Sequence, residues 1–308
     1  MTSFRAAACP TSRNRGLPDL DGLVISILKR RRREFIHQFP QVACFAFDFI
    51  STEIAVRGRF DKEELNCLSS QLFSRMTNRR ICLDIGANIG NHSLVFAEYF
   101  DRVLAFEPNP RTFKLLAINS ELARNIAPYR LGASNKKGIM TAFEDALNLG
   151  ATTTSRAISG HREEHQKGVI STVHFDVDKL DDFLRESDLN QVDFIKLDVE
   201  GHEAAALEGM ENILRLSGPI VVMEAFSGSF SDGNSQSVEI LKSHGYGHFY
   251  RMSDGGSERA KWPKVIRKLT RRTQKLFTRG RNKYVLTKMG DVAPRYHHML
   301  VCSRYEVV

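Results

Sequence analysis

Ile81-Cys82-Leu83-Asp84-Ile85-Gly86-Ala87-Asn88-Ile89-Gly90-Asn91 decides the fold. An apolar run of strand character carries an acid near its end, a loop with two glycines follows, and a helical pattern begins. Glycines let a backbone turn tightly and approach a ligand. A helix starting near Asn91 would aim unpaired N–H groups at a carboxylate or phosphate. A plain strand–turn–helix with an N-cap would account for that much. Glu107, closing the next apolar run, goes further: a carboxylate there can accept both hydroxyls of a ribose. The spacing D-x-G-x-N-x-G is not G-x-G-x-x-G, so a nucleoside with a small anionic tail fits better than a dinucleotide.

Outward from this stretch, strands and helices alternate. Strands read at 81–85, 102–106, 127–133, 192–197 and 219–224, and helices at 91–100, 110–123, 178–186 and 202–215. That order predicts an α/β fold with a mostly parallel sheet and helices on both faces. Such sheets bind ligands beyond the carboxyl ends of their strands, and four of these ends carry acids: Asp84, Glu107, Asp198 and Glu224. Between 134 and 175 the pattern weakens, and Asn148 to Thr154 reads as a polar loop. A helix is expected at 236–243, and His248–Tyr250 and Tyr296–Ser303 read as closing strands.

Upstream, residues 1–60 read as an N-terminal extension: a loose leader, a short helix at Leu23–Phe39 interrupted by arginines and ended by Pro40, and two strands at Val42–Phe49 and Glu53–Arg59. The main domain is expected over 61–308. It would open on a helix over Asp61–Met76, with Asp61 as N-cap and Glu64 three residues later.

The 308 residues carry a net charge of +8 with 42% hydrophobic content, ordinary for a globular chain with a sizeable core. The charge is uneven. Lys261–Lys283 holds ten basic residues and no acid, and Lys29–Arg33 holds five in a row, so the remainder carries −7. Five scattered cysteines without a C-x-x-C pair argue against a disulfide framework or a zinc site. Cys82 and Cys302 are expected to be core thiols. Neither a twenty-residue apolar run nor a signal-like leader is present, so the expected location is cytoplasmic.

Leu83–Asn91, Ala105-Phe106-Glu107-Pro108-Asn109 and Ile195-Lys196-Leu197-Asp198-Val199-Glu200-Gly201-His202-Glu203 together resemble the FkbM family of S-adenosylmethionine-dependent methyltransferases. The resemblance runs from about Ile54 to Glu224. It implies a Rossmann-like class I methyltransferase fold, with a seven-stranded sheet whose last strand is antiparallel. It also implies S-adenosylmethionine as cofactor. Asp84, Gly86, Asn88 and Gly90 would line the methionine end and Glu107 would hold the ribose, with Asn91, Pro108 and Asp198 completing the cofactor set. Asn148-Leu149-Gly150-Ala151 is similar to the family's N-x-G-A loop.

Methyl transfer from a sulfonium mainly needs alignment. A hydroxyl acceptor also needs its proton removed. Asp198, Glu200, His202 and Glu203 are the candidates, although acids in a helix's first turn also simply favour its dipole. Asp198, Glu200 and Glu224 could converge on a hard cation, but no spacing rule supports this and no metal is assigned. Lys196 is expected to snorkel or pair with an acid, or else to orient a substrate. The expected reaction is O-methylation of a small molecule, sugar or glycolipid. A nucleic-acid methyltransferase is disfavoured because Asp-Val-Glu-Gly replaces an Asn/Asp-Pro-Pro-aromatic motif, and nucleic acid is not an expected partner. A non-catalytic membrane- or RNA-binding protein would have no need of four acidic strand ends. Residues 261–283, with Trp262, Val265, Ile266, Leu269, Leu276 and Phe277 among the charges, fit an amphipathic segment that touches an anionic membrane face.

Overall fold

The computed structural model describes residues 20–145, 148–153, 170–225, 230–231, 234–254, 284–292 and 297–307. The basic segment 261–283 and the leader before residue 20 lie outside the described residues.

The parallel part of the central sheet is built from β1 (Ile81–Ile85), β2 (Arg102–Phe106), β3 (Ile126–Tyr129), β8 (Val192–Leu197) and β9 (Ile220–Ala225). β1 runs parallel to β2 on one side and to β8 on the other, and β3 and β9 extend the sheet in the same sense. Three further strands continue it: β12 (His248–Asp254), β13 (Tyr284–Met289) and β14 (His297–Ser303). β14 pairs antiparallel with β9, β12 with β14, and β13 with β12. The Rossmann-like α/β class holds, but among the described residues the sheet has eight strands rather than seven. The additional edge strand is β13, whose Tyr-Val-Leu-Thr-Lys-Met run adjoins the basic segment.

Alternation along β1 sorts the core into two layers. Ile81, Leu83 and Ile85 pack into one cluster and Cys82 into the other. The first layer is closed by α8 (Glu203–Glu208), α9 (Glu211–Ser217) and α10 (Gln236–Ser243) through Ala206, Leu207, Ile213, Leu214, Val238 and Leu241. The second is closed by α3 (Lys62–Gln71) and α4 (Asn91–Phe96) through Leu65, Leu68, Val95 and Phe96. Phe73, Phe96 and Phe194 meet edge-on there, with centroids 5.0–5.8 Å apart, a geometry aromatic quadrupoles favour. Cys82 and Cys302 are buried thiols.

Several expected elements are redrawn. The helix at 202–215 breaks at Gly209, where a Cβ would sit 1.9 Å from the Ser134 carbonyl oxygen. The helix at 178–186 becomes two single turns, α6 (Leu180–Phe183) and α7 (Glu186–Leu189). The strand at 127–133 splits into β3 and β4 (Gly132–Ala133). The expected loop at 148–154 is instead β6 (Asn148–Thr153), antiparallel to β5 (Gly138–Asp145), and both join β4 and β7 (Ile170–Asp178) in a second sheet.

The extension departs most. Helix α1 (Leu20–Phe35) runs unbroken through the arginines. The two expected strands are replaced by a coil and by α2 (Phe49–Arg57). Ser51 and Thr52 turn their hydroxyls onto the Asp48 carbonyl at 2.8 and 2.9 Å, and Gly58 ends the helix in the left-handed region at φ 86°. Asp61 precedes α3 but makes no side-chain cap; its carboxylate is used elsewhere.

Candidate functional site

A cavity of about 470 Å³ opens at the carboxyl ends of the parallel strands. β1 lies at the centre of those strands, and its loop forms the floor. The Gly86 and Ala87 N–H groups both donate to the Phe106 carbonyl at 2.9 Å, and the Asp198 N–H donates to Ile85 O at 3.0 Å. The ends of β1, β2 and β8 are thereby laced together. Gly86 is the tightest point: φ is 76°, and a Cβ would fall 1.8 Å from the Asp198 carbonyl oxygen. No other residue lets the two loops approach this closely.

Glu107 faces the cavity from the end of β2. The Asn88 N–H donates to one carboxylate oxygen at 3.0 Å and the Asn109 N–H to the other at 2.8 Å. Burial outweighs these bonds and pushes Glu107 up to about 7. Asn88 reaches its position only by adopting φ 53°.

Lys196 lies under the floor, 6% exposed. Its ammonium donates to the Gly86 carbonyl at 3.0 Å and sits 3.2 Å from Asp198 Oδ2 and 3.8 Å from Asp84 Oδ1. Burial opposes its charge, but the two carboxylates prevail and raise its pKa. Asp198 is lowered in turn: Lys196 overcomes the cost of burial. Asp84 itself is fully buried beneath the loop and accepts the Ser93 hydroxyl at 2.5 Å.

The third wall is the turn after β8. Glu200 adopts φ 52° and Gly201 φ 97°, consecutive left-handed residues of the strained kind that gathers at functional sites. Carboxylate oxygens of Asp198, Glu200 and Glu224 lie within 4.8 Å of one another. Such a trio can hold a proton between carboxylates or face a cation. His202 lines the cavity with Nε2 3.0 Å from Ser134 Oγ, and burial lowers its pKa, favouring the neutral ring. Glu203 lies behind the wall. Its carboxylate accepts the Gly201 N–H at 3.1 Å and is pushed by burial to about 7.

Of the residues singled out from sequence, Gly86, Asn88, Asn91, Glu107, Pro108, Asp198, Glu200 and His202 line one cavity. Asp84, Gly90 and Glu203 support it from behind. A Cβ on Gly90 would meet Leu116 at 2.8 Å. The Asn91 side chain is occupied by the extension: its amide donates to Phe60 O at 3.0 Å and accepts the Phe60 N–H at 3.3 Å. The helix after the loop, α4, is six residues long.

Sequence reasoning missed the roof. Phe49, Ile50 and Phe60 from the extension, with Asp61, His92 and His298, close over the cavity. Asp61 Oδ2 is 3.4 Å from Nε2 of both histidines, and His298 Nδ1 is 3.9 Å from Glu224 Oε1. Bonding to Asp61 and then to Glu224 raises His298 to about 10. Burial would raise Asp61, but His298 and His92 reverse this and hold it well below the usual carboxylate range. These residues are far apart in sequence. Asp61 itself reads from sequence as a helix cap, a role its side chain does not take.

The sequence pattern of the methyltransferase FkbM domain matches residues 84–248. This chain belongs to that family. The hexuronic acid methyltransferase AglP of Haloferax volcanii is 31% identical over 146 residues, 47% of this chain and 55% of the relative. Methyltransferase 1 of Beauveria bassiana is 29% identical over 145 residues, 42% of this chain and 58% of the relative. The match thus spans little more than half of either relative. Among solved structures, a methyltransferase FkbM from Methylobacillus flagellatus is similar at 13% identity and a TM-score of 0.39, covering 91% of this chain and 60% of that one.

Proposed function

We propose that this FkbM-family chain transfers a methyl group from S-adenosylmethionine to a hydroxyl of a sugar or other small molecule. One observation carries the reading. Gly86 packs against the Asp198 carbonyl so closely that the β1 and β8 loops form one floor, with Glu107 at one side and Glu200 at the other.

The residues present fit the cofactor. Glu107 has the chemistry to accept ribose hydroxyls. Leu131, Ala133, Met140 and Val177 offer an apolar wall for a flat base. Carboxylates of Asp198 and Glu224 suit a cationic sulfonium or ammonium group. Asp84 Oδ1 accepts no hydrogen bond in the buried layer below and adds negative potential to the same end. When bound, S-adenosylmethionine supplies an activated methyl group, so the protein's task is alignment and proton removal.

Lys196 keeps Asp198 ionised and fixes the Gly86 carbonyl, setting the floor before any ligand arrives. Glu200 is the proposed base: it takes the acceptor's hydroxyl proton as the oxygen attacks. His202, held on Ser134, orients the acceptor. A sugar acceptor is favoured by the likeness to the hexuronic acid methyltransferase.

Calorimetry with S-adenosylmethionine and with NAD on one preparation tests the reading. The first is expected to bind and the second not; the reverse would overturn it. Glu107→Ala should weaken cofactor binding by about 1–3 kcal/mol. Glu200→Gln should leave that affinity intact and lower turnover on a panel of hexuronic acid glycosides. Unchanged turnover would remove Glu200 from its role.

A further inference from the structure

Helix α1 has two unlike halves. Its first half exposes Leu23, Val24, Ile25, Ile27 and Leu28, each 41–57% accessible, and every residue from 21 to 30 is exposed. At 100° per residue these five side chains cover an arc of roughly 200°, so the half-helix is apolar on more than one face. Its second half is Lys29-Arg30-Arg31-Arg32-Arg33, basic on every side.

Its C-terminal end is fastened to described residues. Phe35 meets Phe39 edge-on with centroids 5.5 Å apart, Lys62 lies over both rings and Arg59 over Phe39. The apolar half extends away from this anchor, and no described residue buries it. The turn leading into α2 adds Phe47, 99% accessible, and Phe49, which also lines the cavity.

We infer that α1 docks the protein on an anionic lipid bilayer. The six residues Leu23–Leu28 span about 9 Å of helix. That is too short to cross a hydrocarbon core of about 30 Å, but long enough to pass one headgroup layer and enter the acyl chains. The five cations would then stand at the level of the lipid phosphates, where each adds attraction to an anionic surface. Apolar tip and basic collar follow one another along the axis in the order that a membrane surface presents acyl chains and phosphates. A second copy docked in parallel would bring five cations against five cations. The inference does not depend on the proposed reaction, and it uses a segment distinct from residues 261–283.

The test uses the full chain with Trp262→Phe and Ile27→Trp, making position 27 the sole tryptophan. Vesicles of phosphatidylcholine with 30% phosphatidylglycerol should shift its emission to the blue, brominated lipid should quench it, and salt should reverse both. Pure phosphatidylcholine should do much less. In the otherwise unaltered chain, Ile27→Asp with Leu28→Asp should weaken vesicle partitioning more than tenfold while melting as the parent does, since both positions are exposed. Emission unmoved by anionic vesicles would overturn the inference. So would emission already blue in buffer, which would mean that protein covers the helix, or partitioning indifferent to the double substitution.

Discussion

Replacing Lys196 with methionine tests how the floor of the cavity is held. The side chain keeps its length and loses its charge. The ammonium lies 3.2 Å from Asp198 Oδ2 and 3.8 Å from Asp84 Oδ1, and it donates to the Gly86 carbonyl at 3.0 Å. Asp198 is half-buried and can turn to water. Asp84 has no such route: it is fully buried, and Ser93 reaches only one of its oxygens. Breaking a buried pair by removing one partner costs about 3–5 kcal/mol. An unfolding entropy of about 2.1 cal/mol/K per residue gives roughly 0.65 kcal/mol/K for a chain of this length, so Tm should fall by about 5–8 °C. Scanning calorimetry reads this directly. Adding Asp84→Asn to Lys196→Met removes both charges and should recover part of the loss, because the penalty arises from the stranded carboxylate rather than from a missing attraction. A single variant melting within 1 °C of the parent, or a double variant that recovers nothing, would refute the reasoning.

Other expectations follow from the same geometry. Gly86→Ala should cost several kcal/mol, because backbone rather than a mobile side chain occupies the Cβ position and φ is 76°; chemical denaturation measures the loss, and a variant as stable as the parent would contradict the close approach. Glu203 has a folded pKa of about 7, above its unfolded value, so its contribution declines as pH rises from about 4.5 to 7. Glu203→Gln escapes that decline and should gain on the parent through this window, by up to about 3 kcal/mol; parallel melts at pH 4.5 and 8 with a constant difference would exclude it. His298 is raised to about 10, so its contribution is fully present below about 6.5 and is lost on the way to pH 10. His298→Gln should therefore flatten the alkaline fall in Tm, and an unaltered alkaline limb would remove the histidine from the roof's electrostatics.

The central strands were legible because each is a short apolar run buried on both faces. The bounds read for β1, β2 and β8 are those observed. The same logic fails at the edges. β13 sits beyond the basic segment, and β6 is built of small polar residues whose strand form depends on pairing with β5. In α2, the alternation of Ile54 and Val56 imitates a strand, while the helix is bounded by Asp48 at its N-cap and by Gly58 in the left-handed region at its end. For the site, a strand end is a position that sequence can locate, so Glu107, Asp198, Glu200 and Glu224 could be found. The roof consists of residues brought in by tertiary packing: Phe60 by the Asn91 amide, His298 by the return of β14 beside β9. No spacing rule encodes that.

The amide of Asn91 is not alone in its use. Asn119 accepts the Ala43 N–H at 2.7 Å and donates to Ala43 O at 2.9 Å and to Ile89 O at 2.7 Å. Two asparagines of the main domain thus hold the extension by its backbone, at points 17 residues apart. Backbone recognition is blind to side chains, so the roof's sequence is free to vary while its path is kept. Exchanging the stretch from Ala43 to Phe60 for another would reshape the cavity wall formed by Phe49, Ile50 and Phe60 without disturbing its seat. Altering Asn91 or Asn119 would unseat any roof placed there.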